Sequence, residues 1–135
     1  MNRIIYQTES GGVAVIIPTE SVKLALKDVP EGVAYEIVSE ADIPSDRFFR
    51  NAWVMGDCCI DHDLDKCKAL GHDLRRQQRA EEFQPYDDVI AKQIPGADAV
   101  AAEEARAAIR EKYELMQDEI DLAATPDEIK AVLGI

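Results

Sequence analysis

Apolar positions along this chain follow two rhythms, and the change between them falls near Asp61. Before that point they come in short β-branched runs. Arg3-Ile4-Ile5-Tyr6 and Val13-Ala14-Val15-Ile16-Ile17 flank Thr8-Glu9-Ser10-Gly11-Gly12, which predicts a hairpin with a Gly-rich loop. Pro18 closes the second strand, because proline cannot donate to a ladder. Ser21 to Leu26 is ambiguous and fits a short helical turn, and Asp28-Val29-Pro30-Glu31-Gly32 has turn chemistry. Tyr35-Glu36-Ile37-Val38 reads as a third strand. Asn51-Ala52-Trp53-Val54-Met55 and Cys58-Cys59-Ile60 read as a second hairpin around Gly56-Asp57.

After Asp61 the spacing becomes helical. Leu64, Cys67, Leu70 or Gly71, and Leu74 recur every three or four residues, with Asp61 or Asp63 as the N-cap. Phe83, Tyr86, Ile90 and Ile94 continue the stripe. Pro85 predicts a kink or a short break, since its ring clashes with the preceding turn and it has no N–H. Ile94-Pro95-Gly96 is a stop. A second helix is expected from about Asp98 to Ala123, with Ile109, Tyr113, Met116 and Ile120 in a heptad-like seam suited to pairing with another helix. Thr125-Pro126-Asp127-Glu128 is a capping box with proline at N1, opening a short helix that ends near Leu133-Gly134. The fold class is therefore α+β. A small antiparallel β unit spans residues 1–61. A helical hairpin and short terminal helix span 62–135.

Charge narrows the partners. Fifteen Lys and Arg against 27 Asp and Glu give a net charge of −12, and both halves carry the acidic excess. A nucleic-acid surface needs the opposite balance on at least one face, so nucleic acid is not the expected partner. No apolar run reaches the roughly 18–20 residues of a membrane span. The opening Met1-Asn2-Arg3-Ile4-Ile5-Tyr6 is too short for a secretory signal. Three cysteines, two of them adjacent, do not form a secreted disulfide framework. The expected compartment is a reducing cytoplasm.

Cys58, Cys59, His62, Cys67 and His72 are all the cysteines and histidines of the chain, gathered within fifteen residues. Zinc takes four such ligands. The spacing is poor for it: adjacent strand residues point to opposite faces. Five helical positions rotate by about 500°, leaving Cys67 and His72 roughly 140° apart. Cys67 and one of Cys58 and Cys59 read better as small core residues, so no cofactor or metal is expected. Asp61-His62-Asp63 with Asp65 has the groups of an acid–base pair, but it also suits a helix start and has no nucleophile beside it. Gly11-Gly12 lacks the Lys-Ser/Thr of a phosphate loop. Arg75-Arg76-Gln77-Gln78-Arg79, the one basic cluster, either meets nucleic acid or faces Glu103, Glu104 and Glu111 across an antiparallel hairpin. The hairpin favours the second. Phe49, Trp53, Tyr113, Met116 and Ile120 are the candidate core or partner-contact positions.

Taken together, several segments resemble a family of small phage and prophage proteins. They are Arg3-Ile4-Ile5-Tyr6, Gly11-Gly12-Val13-Ala14-Val15, Lys27-Asp28-Val29-Pro30, Tyr35-Glu36-Ile37-Val38, Ile43-Pro44-Ser45-Asp46-Arg47, Phe49-Arg50-Asn51-Ala52-Trp53, Ile94-Pro95-Gly96-Ala97-Asp98 and Thr125-Pro126-Asp127-Glu128. The resemblance covers nearly the whole chain. Members sit among tail genes near the tail fibre and are labelled tail-fibre assembly or tail assembly chaperone-like. Cys58, Cys59 and His62 depart from the ordinary strand residues of the family. The resemblance brings no catalytic residues.

It implies a non-enzymatic tail accessory that binds the tail fibre or distal tail during assembly in the host cytoplasm. The alternatives are a structural subunit retained in the virion tail, as a fibre or baseplate adaptor, and an inhibitor of a host defence protein. A homo-oligomer through the helices is also open. Interleaved Lys and Arg argue against nucleic-acid mimicry, because mimicry needs a contiguous acidic face.

Overall fold

A computed structural model describes residues 1–57, 59–92, 96 and 98–135. The fold is α+β: small antiparallel sheets at the N-terminal end, then two long packed helices and a short C-terminal helix. The chain divides into two compact units, Met1–Lys66 and Cys67–Ile135.

In the first unit, β1 (Asn2–Gln7) is the middle of a three-stranded sheet, between β2 (Val13–Ile16) and β3 (Tyr35–Ser39). The β1–β2 hairpin pairs Ile5 with Val15 and Gln7 with Val13, and Gly11 takes the positive φ that the loop requires. The ambiguous segment before β3 forms a single helical turn, α1 (Val22–Ala25), capped by Ser21. A second hairpin joins β4 (Trp53–Met55) to β5 (Ile60–His62). It is displaced from the expected register: Asn51 and Ala52 belong to a 3-10 turn, and the return strand runs on to His62. Cys58 lies outside the described residues. A side chain at Gly56 would meet the side chain of Asp61, which would have to move.

One face of the sheet and the second hairpin share a core. Ile5, Val13, Val38, Trp53 and Ile60 are buried together, with Val15, Ile43 and Met55 packed against them. Trp53 is fully buried, yet its indole Nε1 has no acceptor among the described residues. Arg47 lies over its ring, 5.6 Å from the centroid. Phe49 is also buried, edge-on to Phe48 and to His62. The aromatic segment is thus mostly core, with Phe48 half-buried.

α2 (Leu64–Lys92) opens on Asp63, whose carboxylate accepts from the N–H groups of Asp65 and Lys66. The helix runs through Pro85, so the expected break is absent. Pro85 and Glu81 are both exposed, so the carbonyl that loses its N–H partner lies on the solvent side. Two ion pairs to the next helix flank the proline: Glu82 with Lys112 at 2.8 Å and Asp87 with Arg106 at 2.9 Å. Tertiary ties on both sides hold the helical path that proline alone disfavours. The expected stop at Ile94-Pro95 lies outside the described residues, while Gly96 has φ 81°.

α3 (Ala99–Leu122) is capped by Asp98. α4 (Pro126–Leu133) is capped by Thr125 and closed by Gly134 at φ 75°. The box at Thr125 is a variant: Glu128 accepts from the N–H of Ala124, one residue before the cap. The buried line of α2 is Cys67, Gly71 and Arg75; the first two lie on the expected stripe, and the third takes the place expected of Leu74. Leu70 and Leu74 are only half-buried. Ile120, Ile129 and Leu133 close over Gly71.

Candidate interaction surface

α3 turns by about 100° per residue, which sets its faces. Ala102, Tyr113 and Ile120 are buried and lie on one side, with Ile109 and Met116 half-buried beside them. The predicted seam is therefore the inward face of its own unit, where Ile120 meets the Gly71 notch. Tyr113 hydrogen-bonds Glu82 of α2. Burial first, then that bond and the Glu82 charge, push the Tyr113 hydroxyl up to about 12. The Lys112 hydrogen bond holds the Glu82 carboxyl below the ordinary range.

The opposite side of α3 carries apolar residues among acidic ones. Val100, Leu115 and Leu122 are 70%, 60% and 84% exposed. With the exposed Ala107 they fall within a sector of about 80°, roughly half a turn from the buried side. Glu104, Glu111 and Asp118 stand exposed in the same sector. At the N-terminal end, Ala99, Val100, Glu103, Glu104, Ala107 and Arg110 line a shallow apolar depression of about 530 Å³. Scattered single exposed leucines need no explanation; here Val100, Ala107, Leu115 and Leu122 share one side of the helix. The sequence pattern hides this face, because the stronger seam absorbs the periodicity. Its one signal is the pair of seven-residue steps, Val100 to Ala107 and Leu115 to Leu122.

The other candidates divide among different roles. Arg75 is buried; its Nε donates to His72 Nδ1 at 3.3 Å, and His72 Nε2 lies 2.7 Å from Asp121 Oδ1. His72 thus bridges Arg75 of its own helix and Asp121 of α3. Burial lowers the pKa of Arg75, with Arg76 and Arg79 acting the same way and Asp121 opposing. Arg76 pairs with Asp73, and Arg79 lies over Phe83. The expected pairing of this cluster with Glu103, Glu104 and Glu111 is not what forms. Glu103 binds Arg106 and Arg110 of its own helix. Across the hairpin the polarity is reversed, with α2 supplying Glu82 and Asp87 and α3 supplying Lys112 and Arg106.

Cys67 is fully buried in the second unit. Among the described residues, no group of three or more His, Cys, Asp or Glu is placed to hold a metal ion. Among the same residues, no helix is long and apolar enough to cross a membrane. No family model, no curated protein and no solved structure matches the chain.

Proposed function

We propose that the chain is a non-enzymatic phage tail accessory that docks a tail-fibre or distal-tail protein through the outward face of α3 and assists its folding or assembly. The observation that carries this reading is the exposed line Val100, Ala107, Leu115 and Leu122, set opposite a fully used inner face. Glu104, Glu111 and Asp118 stand between these apolar residues in the same sector and make the face negatively charged. The complementary partner is a helix that interleaves apolar residues with Lys or Arg along one face, since like charge across such a seam is destabilising. The same carboxylates disfavour a second copy of α3 as the occupant. The resemblance to tail-region proteins supplies the context of the partner.

Mass spectrometry of purified virions and of infected cells, for the phage that encodes the chain, tests the reading. The assembly role predicts the chain in the infected cell, tail-fibre yield that falls when its gene is deleted, and no stoichiometric copy in the virion. A stoichiometric copy in the virion would replace the assembly role with that of a structural adaptor. Unchanged fibre yield with no copy in the virion would overturn both.

A further inference from the structure

The outer edge of β3 is unpaired among the described residues, and its backbone polarity follows from one hydrogen bond. Glu40 N–H donates to Met1 C=O at 2.9 Å, so those two residues form a hydrogen-bonded antiparallel pair. Such pairs alternate along a ladder. In the β1–β3 register, Arg3 with Val38 and Ile5 with Glu36 are then bonded pairs, whereas Ile4 with Ile37 and Tyr6 with Tyr35 are not. The other side of β1 agrees. Thr8 N–H donates to Gly12 C=O, which makes Tyr6 with Ala14 and Ile4 with Ile16 the bonded pairs toward β2. The N–H and C=O groups of Tyr35 and Ile37 therefore point away from the sheet. Their side chains are also 44% and 48% exposed. No proline or lysine blunts the strand, and its one charge, Glu36, lies on the opposite face from Tyr35 and Ile37.

We infer that β3 pairs with β3 of a second copy of this chain, antiparallel and centred on Ile37, to make one continuous six-stranded sheet. Charge and hydrogen-bond polarity select this register. Centred on Ile37, Ile37 meets Ile37, Tyr35 meets Ser39 and Glu36 meets Val38, and every residue in a bonded position has outward backbone groups. Centred on Glu36, two carboxylates would stand directly opposed, which is destabilising. Ser39 N–H already donates to Asp42 Oδ2 at 3.3 Å. The two Ile37 bonds and the two Tyr35 N–H to Ser39 C=O bonds remain, making a short ladder and a concentration-dependent dimer. This inference is independent of the α3 surface and of the tail role.

Sedimentation equilibrium of the full chain over a wide concentration range tests it, with Ile37→Lys as the edge-blocking variant and circular dichroism to verify its fold. Cysteine cross-linking supplies a second measurement that needs no loss of function. A bonded antiparallel pair has Cα atoms about 5.5 Å apart, within the range of about 4.4–6.8 Å that a disulfide spans. Ile37→Cys should link to itself under mild oxidation, above the background of the wild-type chain. Tyr35→Cys should link to Ser39→Cys and not to itself. A monomer at all concentrations, a dimer unaffected by Ile37→Lys, or Ile37→Cys cross-linking no better than wild type would each overturn the inference.

Discussion

Gly71 of α2 lies so close to Ile129 of α4 that a Cβ added there would sit 2.7 Å from Ile129 Cγ2. The same atom would be 3.7 Å from Ile120 Cγ2 and 3.8 Å from Leu133 Cδ1. Glycine thus lets the terminal helix close onto α2, at a cost in helix propensity of about 1 kcal/mol relative to alanine. Overpacking a tight core costs about 1–3 kcal/mol, which outweighs that gain in propensity. Gly71→Ala is expected to destabilise the chain by about 1 kcal/mol in urea unfolding, the difference between the two effects. Combined with Ile129→Ala, which removes the opposing methyl, it should cost less than the sum of the two. An increase in stability in Gly71→Ala would show that the close approach is not held in solution.

Ile120 and Leu122 stand two residues apart on α3 and face opposite ways, one fully buried and the other 84% exposed. Ile120→Asp buries an unpaired carboxylate and is expected to unfold the helical unit, a loss above about 4 kcal/mol. Leu122→Asp should leave stability within about 0.5 kcal/mol, as surface changes do. Circular dichroism melts of the two variants, taken together, check the facing of α3. Equal effects would contradict it.

Trp53 carries a buried N–H with no acceptor among the described residues. Trp53→Ala should cost about 3–5 kcal/mol through lost packing. Trp53→Phe keeps much of the ring and removes an unsatisfied donor whose burial costs about 1–3 kcal/mol. Its net effect should stay within about 1 kcal/mol in chemical denaturation, because the two changes oppose each other. A loss approaching that of the alanine variant would show that the indole N–H is bonded.

The helical unit should lose stability at both ends of the pH scale. Tyr113 holds its proton more tightly when folded, with a pKa of about 12. Its contribution is therefore complete below the unfolded value of about 10 and is lost as pH rises through about 12. Glu82 is shifted the other way, chiefly by Lys112. Its contribution is present above the ordinary carboxylate pKa and is lost as pH falls through its lowered value. Tyr113→Phe should flatten the alkaline limb of the stability profile, and Lys112→Met the acid limb. A profile unchanged by either substitution would contradict the Lys112–Glu82–Tyr113 contacts.

The N-terminal hairpin and the capped helices are legible in the sequence because local chemistry determines them. β-branched runs around Gly11-Gly12 can only alternate, and Asp98 and Thr125 supply the oxygen a helix start needs. Three features are not legible, for physical reasons. The seam of α2 runs from Cys67 and Gly71, which the spacing marks, to a buried Arg75, which a hydrophobic pattern passes over in favour of Leu74. Pro85 obeys its local rule only until contacts on both sides hold the helix, and those contacts are distant in sequence. The outward line on α3 is masked by the inward one, because both share the helical period. The aromatic segment is readable as core, but the lone donor on Trp53 emerges only from its surroundings.

Docking through the outward face of α3 is open to one decisive experiment. The tagged chain is co-purified from infected cells, wild type against a Leu115→Asp, Leu122→Asp double variant shown to be folded. The wild type should retain a tail-fibre or distal-tail protein, identified by mass spectrometry, and the double variant should lose it by more than about tenfold, equivalent to at least about 1.4 kcal/mol of binding. Recovery of the same tail protein by both, or of none by the wild type, would contradict the docking role.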